Sequence, residues 1–186
     1  MKAKRLFDLL LALLALALLG LPMLAAALAV WLDSGRPVLF SQTRIGLAGK
    51  PFRLYKFRSM VVDAERLGPQ RTASSDPRIT RVGRWLRRSS VDELPQLINV
   101  LRGDMSLVGP RPDVPAQQAD YRPEDWALRC RVRPGITGLA QALYRSRATP
   151  AQRLQADLDY ARAPGLLRDL RIIALTVVQL LRRSAN

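Results

Sequence analysis

Histidine is absent from this sequence of 186 residues, and cysteine occurs once, as Cys130. The first absence removes the Ser-His-Asp and Cys-His nucleophiles, His-liganded zinc and any histidine acid–base pair. Catalysis must then fall to carboxylates, lysine, tyrosine, the one thiol or a metal. A lone cysteine makes neither an internal disulfide nor a Cys-rich metal site, so Cys130 reads as a buried or idle thiol in a reducing compartment. Aromatic residues are 6% of the chain, too few for a base-stacking platform, and no nucleic-acid partner is expected. Acidic residues number only 15 against 30 basic ones, a formal charge of +15. That imbalance calls for an anionic partner, whether nucleic acid, anionic lipid or a phosphorylated substrate, and the sparse aromatics weigh against the first. Lysine is scarce as well, confined to Lys2, Lys4, Lys50 and Lys56. The arginine excess fits planar phosphate recognition, and a biased genomic base composition would produce it too.

What the chain does have is a long apolar run. From Leu9 to Leu32 there is no charged or strongly polar side chain, and a helix of that length rises about 36 Å, enough to reach across a bilayer. A spanning helix, a cleaved signal with its small-residue site near Ala25 to Ala27, and a helix that enters and turns back all fit this length. The flanks favour re-entry. Lys2, Lys4 and Arg5 precede the run, and Arg36, Arg44, Lys50, Arg53, Lys56 and Arg58 follow it. Positive flanks stay in the cytoplasm, which is satisfied only if both ends remain there. Pro22, behind Gly20, offers no N–H to the carbonyl of Leu18 and supplies the bend. The expected organisation is a membrane helix over residues 1–33 and a cytoplasmic-face domain over 34–186, set against anionic lipids.

The remainder reads as a small mixed α/β domain at the membrane surface. Val38 to Gln42 and Phe52 to Met60 flank the turn chemistry of Gly46 to Pro51 and predict a hairpin. Val62 to Arg78 reads as a loop. Thr80 to Arg88 places Val82, Trp85 and Leu86 on one helical face and Arg81, Arg84 and Arg88 on another, the pattern of an interfacial helix or of a core helix with a solvated charged face. Leu94, Leu97, Ile98 and Leu101 follow helical spacing, with Gly103 where a C-terminal glycine belongs. Gly109 to Pro112 and Pro134 to Gly138 form stiff loops, and Leu166 to Arg183 is a closing amphipathic helix whose apolar run is too short to span.

Ser90 to Glu93 matches the Ser-x-x-Glu capping box, which would make Asp92 and Glu93 mere complements to a helix dipole. The alternative is a carboxylate pair in a basic setting, one acid a nucleophile and the other a ligand for a hard cation such as Mg²⁺. Lys56, Arg58, Arg88 and Arg111 are then candidates to neutralise phosphate oxygens, with Arg111 held stiffly between two prolines.

Four strings carry a family resemblance: FRLYKFRSM (Phe52 to Met60), RITRVG (Arg78 to Gly83), SSVDELPQLINVLRGDMSLVGPRP (Ser89 to Pro112) and RPGITGLAQ (Arg133 to Gln141). Together they resemble the bacterial sugar transferases called monotopic phosphoglycosyl transferases, and the likeness covers nearly the whole chain. It implies that Asp92 attacks the β-phosphate of a UDP-sugar, that Glu93 helps hold Mg²⁺, and that Arg111 contacts phosphate. Lys56, Arg58, Gln141 and Asp157 would stand in or near the site, and Arg145 fits the pattern. Undecaprenyl phosphate would be the acceptor, the membrane helix would be re-entrant, and a homodimer is compatible with the reading. Two departures stand out: Leu21 occupies the place before the kinking proline where the family often has Ser, and Ala142 to Ser146 replace the usual Val-Asn-Gly-Arg-Asn.

Overall fold

The computed structural model describes residues 2–64, 66–68, 76–144 and 147–184, with side chains as far as residue 179. Helix α1 (Lys2–Ser34) is a single element of 33 residues with Pro22 inside it. The proline lacks an N–H but does not end the helix.

The sidedness of α1 is inverted relative to a helix on a water-soluble protein. Its buried positions are Asp8, Ala12, Ala26 and Val30, while Leu18, Leu21 and Leu32 are 70%, 78% and 73% exposed. An aspartate and two alanines are among the most buried positions while many leucines are turned outward, the reverse of ordinary amphipathic packing. Both ends of α1 bond to the folded domain. Near the start, Lys4 Nζ pairs with Asp169 at 2.5 Å, Arg5 donates to the carbonyls of Val100 (2.7 Å) and Leu101 (3.1 Å), and Asp8 accepts from Leu107 N at 3.2 Å. Near the end, Asp33 accepts from Val82 N at 3.1 Å, and Arg58 Nη2 donates to the carbonyls of Ser34 (2.5 Å) and Gly35 (2.9 Å). Lys4 and Arg5, which read in sequence as charges flanking a membrane segment, are thus engaged by protein.

After α1 comes the expected hairpin, β1 (Leu39–Ile45) antiparallel to β2 (Pro51–Phe57), with Leu39 opposite Phe57 and Ile45 opposite Pro51. Between the strands a short 3₁₀ turn spans Leu47–Gly49. Helix α2 (Arg81–Ser89) is capped by Thr80, whose side chain accepts from Gly83 N. Gly83 is required by packing, since a Cβ there would lie 2.0 Å from the carbonyl oxygen of Ser59. Trp85 does not share the buried face: it is 58% exposed, whereas Leu86 is fully buried. In the expected loop over 62–78, residues 65 and 69–75 lie outside the described residues.

Helix α3 (Gln96–Arg102) ends at Gly103, whose φ of 91° is left-handed as the sequence predicts. Its buried face carries Leu97 and Val100 but also Asn99, which is 0% exposed, while Ile98 points out. Asn99 Oδ1 accepts from Tyr55 N at 3.1 Å and its amide donates to the carbonyl of Arg53 at 2.7 Å. A polar side chain thereby bonds the free edge of β2 where a third strand would otherwise pair. The core is distributed: Ala12, Leu54, Leu97, Val100 and Met105 form one cluster, and Ala26, Val30, Phe57 and Leu86 a second. In the third, Val108, Ala142, Tyr160 and Ile172 meet.

A parallel pair absent from the sequence reading, β3 (Ser106–Val108) with β4 (Gly135–Thr137), brings the two Gly-Pro loops together. At Gly109 a Cβ would lie 2.2 Å from Arg133 O, and at Gly135 one would lie 2.1 Å from Gly109 N. The helices α4 (Pro123–Arg129), α5 (Leu139–Tyr144), α6 (Pro150–Arg162) and α7 (Leu166–Ser184) complete the chain. The result is a mixed helix and strand fold, with α1, α2 and α7 presenting apolar side chains outward.

Arg58 corrects one expectation. It is 5% exposed and tied to the C-terminal end of α1, the place of a structural cap and not the phosphate-facing place the sequence suggested. Charged caps of this kind contribute about 1.5–3 kcal/mol. Arg58→Met is expected to lower stability by that amount in thermal or denaturant melts of the detergent-solubilised protein, while the folded fraction keeps its turnover. Unchanged stability with lost turnover would return Arg58 to the site.

Candidate active site

A cleft of about 1060 Å³ opens between α1, the α2–α3 junction, the loop after β3, and α5, α6 and α7. At its polar end, Asp92 and Glu93 sit on a 3₁₀ turn, Val91–Glu93, entered through Ser90 in the left-handed region at φ 61°. No capping box forms: Ser90 makes no side-chain cap bond, and the Glu93 carboxylate is taken elsewhere. Oε1 accepts from Lys56 Nζ at 2.7 Å and from Arg111 Nη2 at 2.6 Å, and Oε2 from Arg111 Nη1 at 3.3 Å. A strand, a turn and a proline-bounded arch converge on one carboxylate.

The two acids diverge because their surroundings do. Burial raises the Asp92 carboxyl to about 6, the adjacent Glu93 charge adding to this while Lys56, Arg87 and Arg111 pull it back. Asp92 is buried and accepts no hydrogen bond among the described residues. For Glu93, burial acts upward as well, but the charges and hydrogen bonds of Arg111 and Lys56 outweigh it and hold the carboxyl well below the usual range. Lys56 is lowered by burial and by Arg111, and Arg111 is raised chiefly by Glu93. One acid is therefore a fixed anion that aims two cations, and the other is an unshielded carboxyl able to act as a nucleophile.

The structure gathers Lys56, Asp92, Glu93, Arg111, Gln141 and Asp157 around this cleft. Asp157 is reached only in part, since its Oδ2 is committed to Arg129 Nε at 3.0 Å. Arg145 lies outside the described residues. Arg88 is a correction: it is exposed on the outer side of α2, and Arg87 lines the cleft in its place. At about 100° per residue, Arg88 points some 200° from the buried Leu86. Arg87 instead follows Gly83 at i+4 on the face against Ser59, and its Nε donates to Ser59 Oγ at 2.9 Å. The i, i+4 relation of Gly83 and Arg87 was a readable signal for this.

Away from the acids the wall turns apolar, with Leu11, Ala15 and Leu19 of α1 facing Leu97, Leu107, Ile136 and Ile173. Polar groups return at Thr137 and Thr176, whose hydroxyls are 2.8 Å apart, and at Gln179. The cleft thus joins a cationic floor, suited to phosphate oxygens, to an apolar channel beside α1.

Known proteins resemble this chain over nearly all of its length. The family model described as bacterial sugar transferase matches residues 1–183. The undecaprenyl-phosphate glucose phosphotransferase of Komagataeibacter xylinus is 46% identical over 188 residues, which is 95% of this chain and 35% of that protein. The UDP-glucose:undecaprenyl-phosphate glucose-1-phosphate transferase of Caulobacter vibrioides is 47% identical over 185 residues, 96% of this chain and 69% of the relative. The exopolysaccharide production protein PSS of Rhizobium leguminosarum bv. phaseoli is 45% identical over 193 residues, 97% and 96% of the two chains. The chain therefore spans about a third of the first of these relatives and nearly all of the last.

The raised Asp92 carboxyl sets a pH dependence. Burial disfavours its charged form, so it is protonated below about 6 and ionised above. If the carboxylate is the reactive species, kcat/KM falls about tenfold per pH unit on the acid side and levels above neutrality. Initial rates across pH 4.5–8 test this, the range being about that over which such a group titrates. A profile flat through this range would show that ionisation of Asp92 is not required.

Proposed function

The chain belongs to the bacterial sugar transferase family, and on that premise we propose that it moves a sugar-1-phosphate from a UDP-sugar to undecaprenyl phosphate, releasing UMP. In this reading it is a transferase that begins the assembly of a polysaccharide on its lipid carrier. The observation that carries the proposal is Asp92, buried and without a hydrogen-bond donor among the described residues, beside a Glu93 clamped by Lys56 and Arg111, in a cleft walled by α1.

An ionised carboxylate needs no general base to attack phosphorus, which suits a chain without histidine. An Asp92 oxygen bonds to the β-phosphorus, the bridging P–O bond breaks, and its electron pair leaves on UMP. A phosphate oxygen of the lipid then attacks the same phosphorus and returns the electron pair to Asp92. Lys56, Arg87 and Arg111 neutralise the diphosphate oxygens, and the apolar wall of Leu11, Ala15 and Leu19 guides the isoprenoid.

A hard dication fits the donor set. Glu93 Oε2 accepts only the longer Arg111 contact, at 3.3 Å, and keeps a lone pair. Mg²⁺ is held in such sites by one or two carboxylates together with waters and substrate phosphates. Glu93 would hold the ion, which would supply charge neutralisation at the diphosphate. With UDP-glucose carrying ³²P in its β-phosphate, Mg²⁺ and no lipid, the wild type is expected to release UMP and retain label. Asp92→Asn and an EDTA-treated sample should do neither. Robust turnover with an unlabelled wild type would replace the two-step route by direct attack.

The placement proposed is the cytoplasmic face of the bacterial inner membrane, with α1 re-entrant over residues 1–33 and the catalytic domain over 34–186. Two features support it. The outward leucines of α1 call for an apolar solvent, and both ends of the helix bond to one folded domain, which does not suit ends on opposite sides of a bilayer. The exposed Trp85 with Arg81, Arg84 and Arg88 on α2 suits an anionic lipid surface. Single cysteines at the exposed Lys2 and Arg36, in a Cys130→Ser background, are expected to escape a periplasmic thiol reagent in intact cells. Labelling at just one of them would establish a spanning helix.

A further inference from the structure

Behind Arg111 lies a buried charge cluster that the proposed transfer does not use. Arg129, 4% exposed, closes α4. Its Nη1 pairs with Asp113 Oδ2 at 3.0 Å and its Nε with Asp157 Oδ2 at 3.0 Å. Its Nη2 donates to the main-chain carbonyl of Arg111. Asp113 also accepts from Tyr121 Oη at 2.6 Å and Arg153 Nη2 at 2.5 Å, and its carbonyl accepts from Ile45 N at 3.0 Å, anchoring the arch to β1. The Arg129 guanidinium lies 5.5 Å from the ring centre of Tyr121 and 6.0 Å from that of Trp126.

Buried ion pairs of this depth are weak stabilisers against well-packed apolar substitutes, so stability alone does not account for the arrangement. What it does that an apolar cluster could not is grip the backbone of Arg111. Glu93 fixes that residue's guanidinium from the front and Arg129 fixes its carbonyl from behind. The two holds together set where the guanidinium fork lies relative to Asp92.

We propose that Arg129 is a positioning residue for the transfer, acting through Arg111. The inference rests on the function proposed above. A planar guanidinium reaches three acceptors in fixed directions, whereas an ammonium on a flexible stem keeps the charge and loses the directions. Arg129→Lys should therefore fold, as judged by circular dichroism and melting. Its kcat with UDP-glucose and undecaprenyl phosphate should fall on the order of ten- to a hundredfold, with KM for UDP-glucose changed less than about threefold.

The deciding measurement is a double-mutant cycle in which UMP release is followed in a single turnover. In an Arg111→Lys background, adding Arg129→Lys should cost no more than about twofold further, because the residue it positions is already lost. Tyr121→Phe removes one bond to Asp113 without changing the packing, and should show a smaller loss with the same non-additivity; it carries the cycle if Arg129→Lys does not fold. Losses that multiply, wild-type activity in Arg129→Lys, or activity that merely tracks a lowered melting temperature would each overturn the inference. An active wild type with multiplying losses overturns only this inference. A wild type that releases no UMP from UDP-glucose or other UDP-sugars overturns the function and the inference with it.

Discussion

The cleft depends on one carboxylate. Glu93 holds Lys56 and Arg111 at 2.7 and 2.6 Å, and these residues arrive from a hairpin strand and from an arch after β3. Partly burying an anion costs free energy unless it is paired and hydrogen-bonded, and here three donor contacts offset that cost. The pairing orients two cations that would otherwise repel each other. Among the described residues the neighbouring Asp92 accepts no hydrogen bond, and its side chain lines the cleft.

The supports of this constellation are themselves polar and buried. Asn99 fixes the edge of β2 beside Lys56, Arg129 holds the carbonyl of Arg111, and Ser59 receives Arg87. Asn99 and Arg129 do what a longer sheet would do elsewhere, since among the described residues both sheets have two strands. A fold with so little ladder must satisfy its backbone groups from side chains, and the same bonds place the reactive groups.

Helix α1 adds a second constraint. Asp8, Ala12, Ala26 and Val30 are its buried positions, Leu11, Ala15 and Leu19 line the cleft and further leucines face outward, so it brings to the site an apolar wall that continues onto the outer surface. A cationic floor and an apolar wall in one cleft suit the two substrates proposed above, a nucleotide sugar and a lipid phosphate, which are of opposite character. Ion pairs at the start of α1 and carbonyl contacts at its end hold that wall against the domain.

Local pattern alone determined a good deal. The hairpin, the helix ending at Gly103, the closing helix, the apolar run of α1 and the proline-bounded arch of Arg111 are each set by residues close in sequence. The exclusion of histidine chemistry came from composition, and the basic setting of Asp92 and Glu93 was readable once the motif was seen whole. The tertiary structure decided which cations serve the site. Arg58 and Arg88 look as eligible as Lys56 and Arg87 in a string of letters, yet Arg58 is spent on the carbonyls of Ser34 and Gly35, and the turn of α2 sends Arg88 outward. It also decided that Ser90 and Glu93 do not close a capping box and that β3 meets β4. The physical reason is range: helix phase, turns and caps are fixed by bonds spanning a few residues. The partner of a charged side chain is fixed by which distant segments the core brings within about 3 Å, the reach of a hydrogen bond.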